Sequence, residues 1–400
     1  MIRLNSFLHR DTLADITGRW LCDRLEPGDV RTLKELVNYN CLLAPLVLDD
    51  VASSIFTEMV GPPVQSFAAS TKGALKDFLA AHPPHTSHRI EEMIRRYQKY
   101  PQDFYRETPF DGRVYHKTTE DAVRFLGSTR RKRFKRIAEK SARRIIDYVF
   151  AQIKEEAETL AHERALQLGV PMDRLITPVS KQEEEFVHAE RRIIKRIRTG
   201  QFINDMPLLD INDVFGVKAM CEDVDVQKLT GLLERHPRLH ILECELHSGS
   251  YNSVNMTVRY TVDRDMLRRS PPSGRPLEKL VARGITAEDA LRGFERFVDE
   301  AEDDLTLEVI ASNYLEGLES EIGRSMHEER ILSQRAQEQY CGSLANNVAA
   351  LLEFMWSLRR HPSDQLEDIP IKLWIKYMPD YYETVMKGTY RMADSVYLAD

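Results

Sequence analysis

Cysteine is scarce. The 400-residue chain has five, Cys22, Cys41, Cys221, Cys244 and Cys341, scattered and without a C-x-x-C pair. That excludes a disulfide framework and a thiolate zinc site, and it fits a reducing compartment. A charge excess of one sign is also lacking: 56 Lys and Arg stand against 63 Asp and Glu, a net charge of -7. A wholly basic nucleic-acid coat and a disordered acidic protein are thereby excluded. Long hydrophobic runs are missing too. The longest strongly apolar stretch is Cys41 to Leu48, whereas a bilayer span takes about 20 residues. The opening MIRLNSFLHRDTLADITGRW is charged throughout, with no signal-peptide apolar core. What is present is a 42% hydrophobic set, ample for packed cores, and length for two or three domains at roughly 100–200 residues each. The expectation is a cytoplasmic globular protein with no membrane association.

Up to about residue 125 the chain reads as short helices broken by loops at Gly61-Pro62-Pro63, His82-Pro83-Pro84 and Pro109-Phe110-Asp111-Gly112. A long helix follows. Phe134, Ile137, Ala138, Ala142, Ile145, Val149, Ile153, Ala157 and Leu160 recur at three- and four-residue steps, and Gly169 with Pro171 stops them. A second helix spans about 181–199, with Phe186, Ala189, Ile193 and Ile197 as its stripe. The character then changes. Val214 to Met220 reads as a buried strand. Leu239 to His247 alternates, with Leu242, Cys244 and Leu246 on one face. The run Val254, Met256, Val258, Tyr260 alternates with Asn255, Thr257, Arg259, Thr261, so one face is buried and the other open. Extended backward, the open face also carries Tyr251 and Ser253. Residues 264–304 read as a polar insertion with one helix, Leu305 to Ile310 as a further strand, and about 314–360 and the Tyr-rich tail as helical. The fold class is α+β: a small mixed-sheet module over 181–335, a helical N-terminal region over 1–128, a linker helix over 129–180 and a helical C-terminal region over 336–400.

Two acids carry the chemistry. Asp213 opens Asp213-Val-Phe-Gly216-Val-Lys218 at the mouth of the first strand, and Glu308 lies inside the last. A carboxylate inside a strand is costly to bury unless it is paired with a cation. Two on neighbouring strands suit Mg²⁺, which takes one or two carboxylates plus substrate phosphates. Pairing with Lys or Arg is the alternative.

The order of motifs resembles the synthetase domain of RelA/SpoT-type guanosine pentaphosphate synthetases, over well under half the chain. The family's Asp-x-x-Gly-Val/Ile-Arg looks like Asp213 to Lys218, and its Gly-Tyr-x-Ser-x-His looks like Ser250 to Asn255. Its Glu-Ile-Gln looks like Glu308-Val-Ile. Glu321, Gly323 and His327 then stand at the offsets of its Ala-Glu-x-Gly-x-Ala-x-His. The resemblance implies a nucleotidyltransferase-like fold and transfer of pyrophosphate from ATP to the 3′-hydroxyl of GDP or GTP. It implies Asp213 and Glu308 as catalytic residues and Mg²⁺ ligands, and Tyr251 stacked on guanine. Lys195 or Arg196, Lys218, His247 and His327 would bind nucleotide; Arg259, on the open side of its strand with Tyr251, reads either as a phosphate contact or as part of an ordinary solvated sheet face. The pattern departs from the family at Lys218 for Arg, His247 for Lys, Asn255 for His, and Ile310 and Ser312 for Gln and Arg. Such losses also suit an RNA- or tRNA-directed transferase, or a nucleotide-binding module without turnover. No His-Asp dipeptide is present, so the hydrolase activity of bifunctional members is not expected.

One further feature is charge. Between 129 and 144, nine Lys and Arg residues stand with only Glu139. This run reads either as an RNA- or phosphate-binding patch or as the exposed face of the long helix. Asp299 to Asp304 is a candidate intramolecular partner.

Overall fold

The computed structural model describes residues 1–120, 122–248, 252–323 and 342–375, with Thr389. The chain opens with β1 (Ile2–Leu4), α1 (Arg10–Leu21) and α2 (Asp29–Val60). It continues through β2 (Gln65–Thr71), α3 (Lys72–Ala81), α4 (His88–Lys99), β3 (Pro109–Thr118) and β4 (Val123–Arg131). Two long helices follow, α5 (Phe134–Leu168) and α6 (Val179–Thr199), then the short α7 (Gln201–Asp205) and β5 (Leu209–Ile211). The centre comprises β6 (Phe215–Met220), α8 (Asp223–Arg235), β7 (Leu239–His247) and β8 (Ser253–Thr261). Three helices, α9 (Arg264–Arg268), α10 (Gly274–Ala282) and α11 (Ala287–Asp299), lead to β9 (Asp304–Ser312). The described helices after it are α12 (Tyr314–Ile322) and α13 (Ser343–Ser357).

Seven strands form one mixed sheet in the order β2-β3-β4-β6-β9-β8-β7. Only the central β6–β9 pair is parallel. β1 and β5 form a separate parallel ladder. One face of the sheet is the main core. Phe215, Val217 and Ala219 join Leu305, Leu307 and Val309, with Met256, Val258 and Tyr260, under α2, α8 and α11. Among the described residues the opposite face is covered only in part. Over β2, β3 and β4 a second, smaller core unites Phe110, Val114 and Phe125 with Leu75 and Leu79 of α3, Ile90 of α4, and Leu318 and Ile322 of α12. Beyond that cover, the open face of β6, β9 and β8 is half-buried among the described residues, with Lys218, Glu308, Asn255 and Thr257 on it; it is the floor of the candidate cleft.

The sheet is therefore not confined to 181–335. Three of its strands come from the region read as short helices and loops. The physical reason is visible in their burial. β4 is covered on both faces, so Phe125 to Thr129 is a continuous buried run without alternation. A bulge between Tyr115 and His116 breaks the period of two in β3. The segment 264–304 likewise holds three helices rather than one. α11 is a core helix: Ala290, Phe294, Phe297 and Val298 are buried, and Tyr39 of α2 meets the Phe294 and Phe297 rings at 5.7 and 5.3 Å. On β7 the expected buried face is not buried. Leu246 is 77% exposed, because β7 is the sheet edge and no helix among the described residues covers its outer end. Most of the expected helical tail lies outside the described residues.

α2 is long and apolar enough to cross a membrane by length and composition. Here its apolar residues Leu33, Val37, Leu43, Val47, Val51, Ile55 and Phe56 are all buried in the main core. Its mid-helix carboxylates are used internally: Tyr115 donates to Asp49 at 2.7 Å and Tyr260 to Asp50 at 2.9 Å.

Candidate functional site

The strand register fixes the floor of the cleft. One rung runs Arg130, Gly216, Glu308, Thr257, Glu243 across β4, β6, β9, β8 and β7. The next runs Ser128, Lys218, Ile310, Asn255, Glu245. Across Gly216 in this rung, Arg130 Nη2 donates to Glu308 Oε2 at 3.4 Å. A Cβ at 216 would make only an ordinary contact, 3.7 Å from the Arg130 side chain.

Asp213 sits just before β6. The chain leaving β4 turns back over it, with the Lys132 N–H bonded to the Val214 carbonyl at 2.8 Å. Lys140, two turns into α5, donates to Asp213 Oδ2 at 2.6 Å, and the Lys132 ammonium pairs with the same oxygen. Lys132 also lies within electrostatic reach of Glu308, so both acids share one site. Burial pushes the Asp213 carboxyl up, but Lys132 and Lys140 outweigh it and hold it down at about 2. Burial lowers the Lys132 ammonium against the pull of Asp213.

A second charged group borders the cleft on the α3–α12 side. Lys72 Nζ donates to both oxygens of Glu321, at 2.9 and 2.8 Å. Lys218 donates to Ser320 Oγ, one residue away. Burial opposes the Glu321 charge, yet Lys72 and then Lys218 hold that carboxyl at about 2.

The two depressed carboxyls make an acid-stability prediction. Their folded values lie below the usual carboxylate range of about 4. The stability they contribute is therefore complete above about pH 4 and is lost as pH falls through about 2. Replacing the second pair, by Lys72→Met with Glu321→Gln, should shrink the fall in melting temperature between about pH 4 and 2. Circular-dichroism melts across that range check it; an unchanged fall contradicts the pairing.

The sequence-derived candidates divide. Asp213 and Glu308 are brought together around Lys132, whereas Lys218, one rung beyond Glu308, bonds Ser320 beside Glu321. Arg259 lies on the same open face one rung away, paired with Thr306, and its guanidinium reaches Asp304 at 4.0 Å. His247 stands at the exposed end of β7, 3.5 Å from Glu245. Lys195 and Arg196 are not in the cleft. Arg196 pairs with Asp205 at 3.1 Å beside Tyr148, and Tyr148 is about 12 Å along α5 from Lys140 at 1.5 Å per residue. Lys195 lines a separate groove with Leu160, His188, Arg191 and Arg192. Tyr251 and His327 lie outside the described residues.

The cations that do face the acids come from the basic run. It is not one surface. Arg130, Lys132 and Lys140 enter the cleft, Arg131 pairs with Asp111, Arg136 with Glu139 and Arg143 with Asp147. Nor is the 299–304 acidic stretch its partner: Asp299 pairs with Arg268, Asp303 with Arg264 and Asp304 with Arg10. The available signal was Arg130 and Lys132 at alternate positions beside Lys140, set within a run that masked them.

The residues fit a magnesium ion. Asp213 Oδ1 is buried with no hydrogen-bond partner, while Oδ2 takes both ammonium groups. That leaves one carboxylate oxygen for a cation, with Glu308 across the site. No group of three or more His, Cys, Asp or Glu gathers among the described residues. The rest of the shell would come from substrate phosphates and water, as magnesium commonly arranges it.

Comparisons with protein-family models, curated proteins and solved structures found no match to this chain.

Proposed function

We propose that the chain is a RelA/SpoT-like pyrophosphokinase of nucleotidyltransferase-like fold, moving pyrophosphate from ATP to the 3′-hydroxyl of GDP, GTP or a related acceptor. The observation that carries the reading is the convergence of three cations, Arg130, Lys132 and Lys140, on the carboxylates Asp213 and Glu308 beside the open face of one sheet. Transfer of a phosphoryl-type group is mostly positioning and charge stabilisation, and this set is suited to both.

In this reading Lys132, Lys140 and Arg130 exchange the carboxylates for the donor's phosphate oxygens. Glu308 accepts the proton of the acceptor 3′-hydroxyl as the new O–P bond forms to the β-phosphorus of ATP. The bond from that phosphorus to the α-side bridging oxygen breaks, and AMP leaves with that oxygen. Asp213 and Glu308 would hold a magnesium ion, which would neutralise charge on the transferring group. Tyr251 offers its ring to the guanine. Asn255 and Thr257 of β8 stand on the same face as Glu308.

The inward turn of Arg130, Lys132 and Lys140 favours nucleotide phosphates over an RNA acceptor bound along the basic run. A nucleotide-binding module without turnover is the second reading, favoured by cations already seated on both acids. Purified protein incubated with ATP, Mg²⁺ and a panel of GDP, GTP, ITP and tRNA separates them. Acceptor-dependent AMP release with GDP or GTP supports transfer. Binding of nucleotide without AMP release with any acceptor supports the module instead.

A further inference from the structure

The cleft has two positive subsites, and only one of them adjoins Asp213. Lys132 and Lys140 make the first, with Arg130 against Glu308. Lys72 and Lys218 make the second, around Glu321 and within electrostatic reach of Arg130. A reaction between two phosphorylated nucleotides needs two such places. The donor's chain belongs with the acids that hold the metal, which leaves the second subsite for the acceptor.

We propose that Lys72, contributed by the N-terminal part of the chain, is the ligand for the 5′-phosphates of the acceptor nucleotide; this rests on the transfer reading above. Lys72 is firmly placed. It is the first residue of α3, its N–H bonds the Thr108 carbonyl at 2.8 Å, and Thr71 caps the helix by accepting from the Ala74 N–H at 3.3 Å. The ammonium rests over the Phe110 ring, 5.2 Å from its centre. An ammonium carries three donors. Two go to Glu321, and the third has no partner among the described residues. The side chain as a whole keeps 25% of its surface exposed. Arg130 and Lys218 are within electrostatic reach, so the subsite stays positive after Glu321 is counted. Glu321 thus aims Lys72 rather than consuming it. The specificity is for the charged 5′-end of the acceptor, independent of its base.

The test compares acceptors that differ only at the 5′-end: guanosine, GMP and GDP, with MgATP as donor and the full chain as enzyme. Lys72→Ala should raise KM for GDP by about 10- to 100-fold, the loss of one charge-assisted phosphate contact. kcat should change little, guanosine should be unaffected, and Lys72→Arg should recover most of the loss. Lys72→Met with Glu321→Gln removes the charges as a pair; it should melt near the wild-type temperature and reproduce the KM rise. Equal effects on guanosine and GDP, or none on either, overturn the assignment. If the wild type transfers to no acceptor, the transfer reading fails, and Lys72 is judged by equilibrium binding of GDP alone. Binding weakened by Lys72→Ala then supports the subsite; absent or unweakened binding overturns it.

Discussion

Glu308→Gln should lower kcat/KM for pyrophosphate transfer by about 10³-fold while leaving the melting temperature within a few degrees of wild type. The size follows from removing a group that acts where charge and a proton move in the transition state, for which single-group losses of about 10²- to 10³-fold are typical. The small effect on stability follows from the geometry. Glu308 meets Arg130 at 3.4 Å, a long contact to a side chain that is itself 43% exposed, and such pairs contribute only about 0–1 kcal/mol. Steady-state kinetics with a thermal melt on the same preparation checks both halves. Transfer unchanged by Glu308→Gln contradicts its role.

Replacing both Lys132 and Lys140 by methionine should cost about 3–5 kcal/mol of folding stability, the penalty for a carboxylate left in the protein without its cations. Asp213 is the residue left behind. Its Oδ2 takes both ammonium groups and its Oδ1 has no hydrogen bond. Adding Asp213→Asn to the double variant should recover most of the loss, because the amide carries no charge to strand. Urea unfolding of the three variants measures the coupling. A third substitution that adds to the loss instead of reversing it contradicts the ion triad. The triple variant should also be inactive, so rescue of stability and loss of transfer separate the structural role from the chemical one.

Much of the sheet core was legible in the sequence because its strands have one covered and one open face. The alternation of Val254 to Thr261 is reproduced with Met256, Val258 and Tyr260 fully buried. It also placed Asn255, Thr257 and Arg259 on the side that faces Glu308. The long helices were legible for the same reason of periodicity, with Gly169 ending α5 in the left-handed region at φ 63°. The N-terminal strands were not. β4 is buried on both faces and β3 carries a bulge, so neither shows a clean period. The acids of the site were readable because a carboxylate in apolar strand company is conspicuous. Their cationic partners were not, because Lys132 and Lys140 are drawn from a run of like residues. Which members of such a run turn inward depends on where β4 ends and α5 begins. Lys72 was invisible for a further reason: it reaches the cleft only because β2 and β3 join a sheet whose centre lies some 140 residues away in the chain, a pairing that no local pattern encodes.

The most direct measurement follows label from γ-labelled ATP into GDP with Mg²⁺, using wild type, Asp213→Asn and Glu308→Gln side by side. The two-acid, three-cation site predicts a labelled product with pyrophosphate at the 3′-position, AMP in equal amount, and loss of both in each variant. Folded wild-type protein that yields neither product nor AMP with any guanine nucleotide contradicts it.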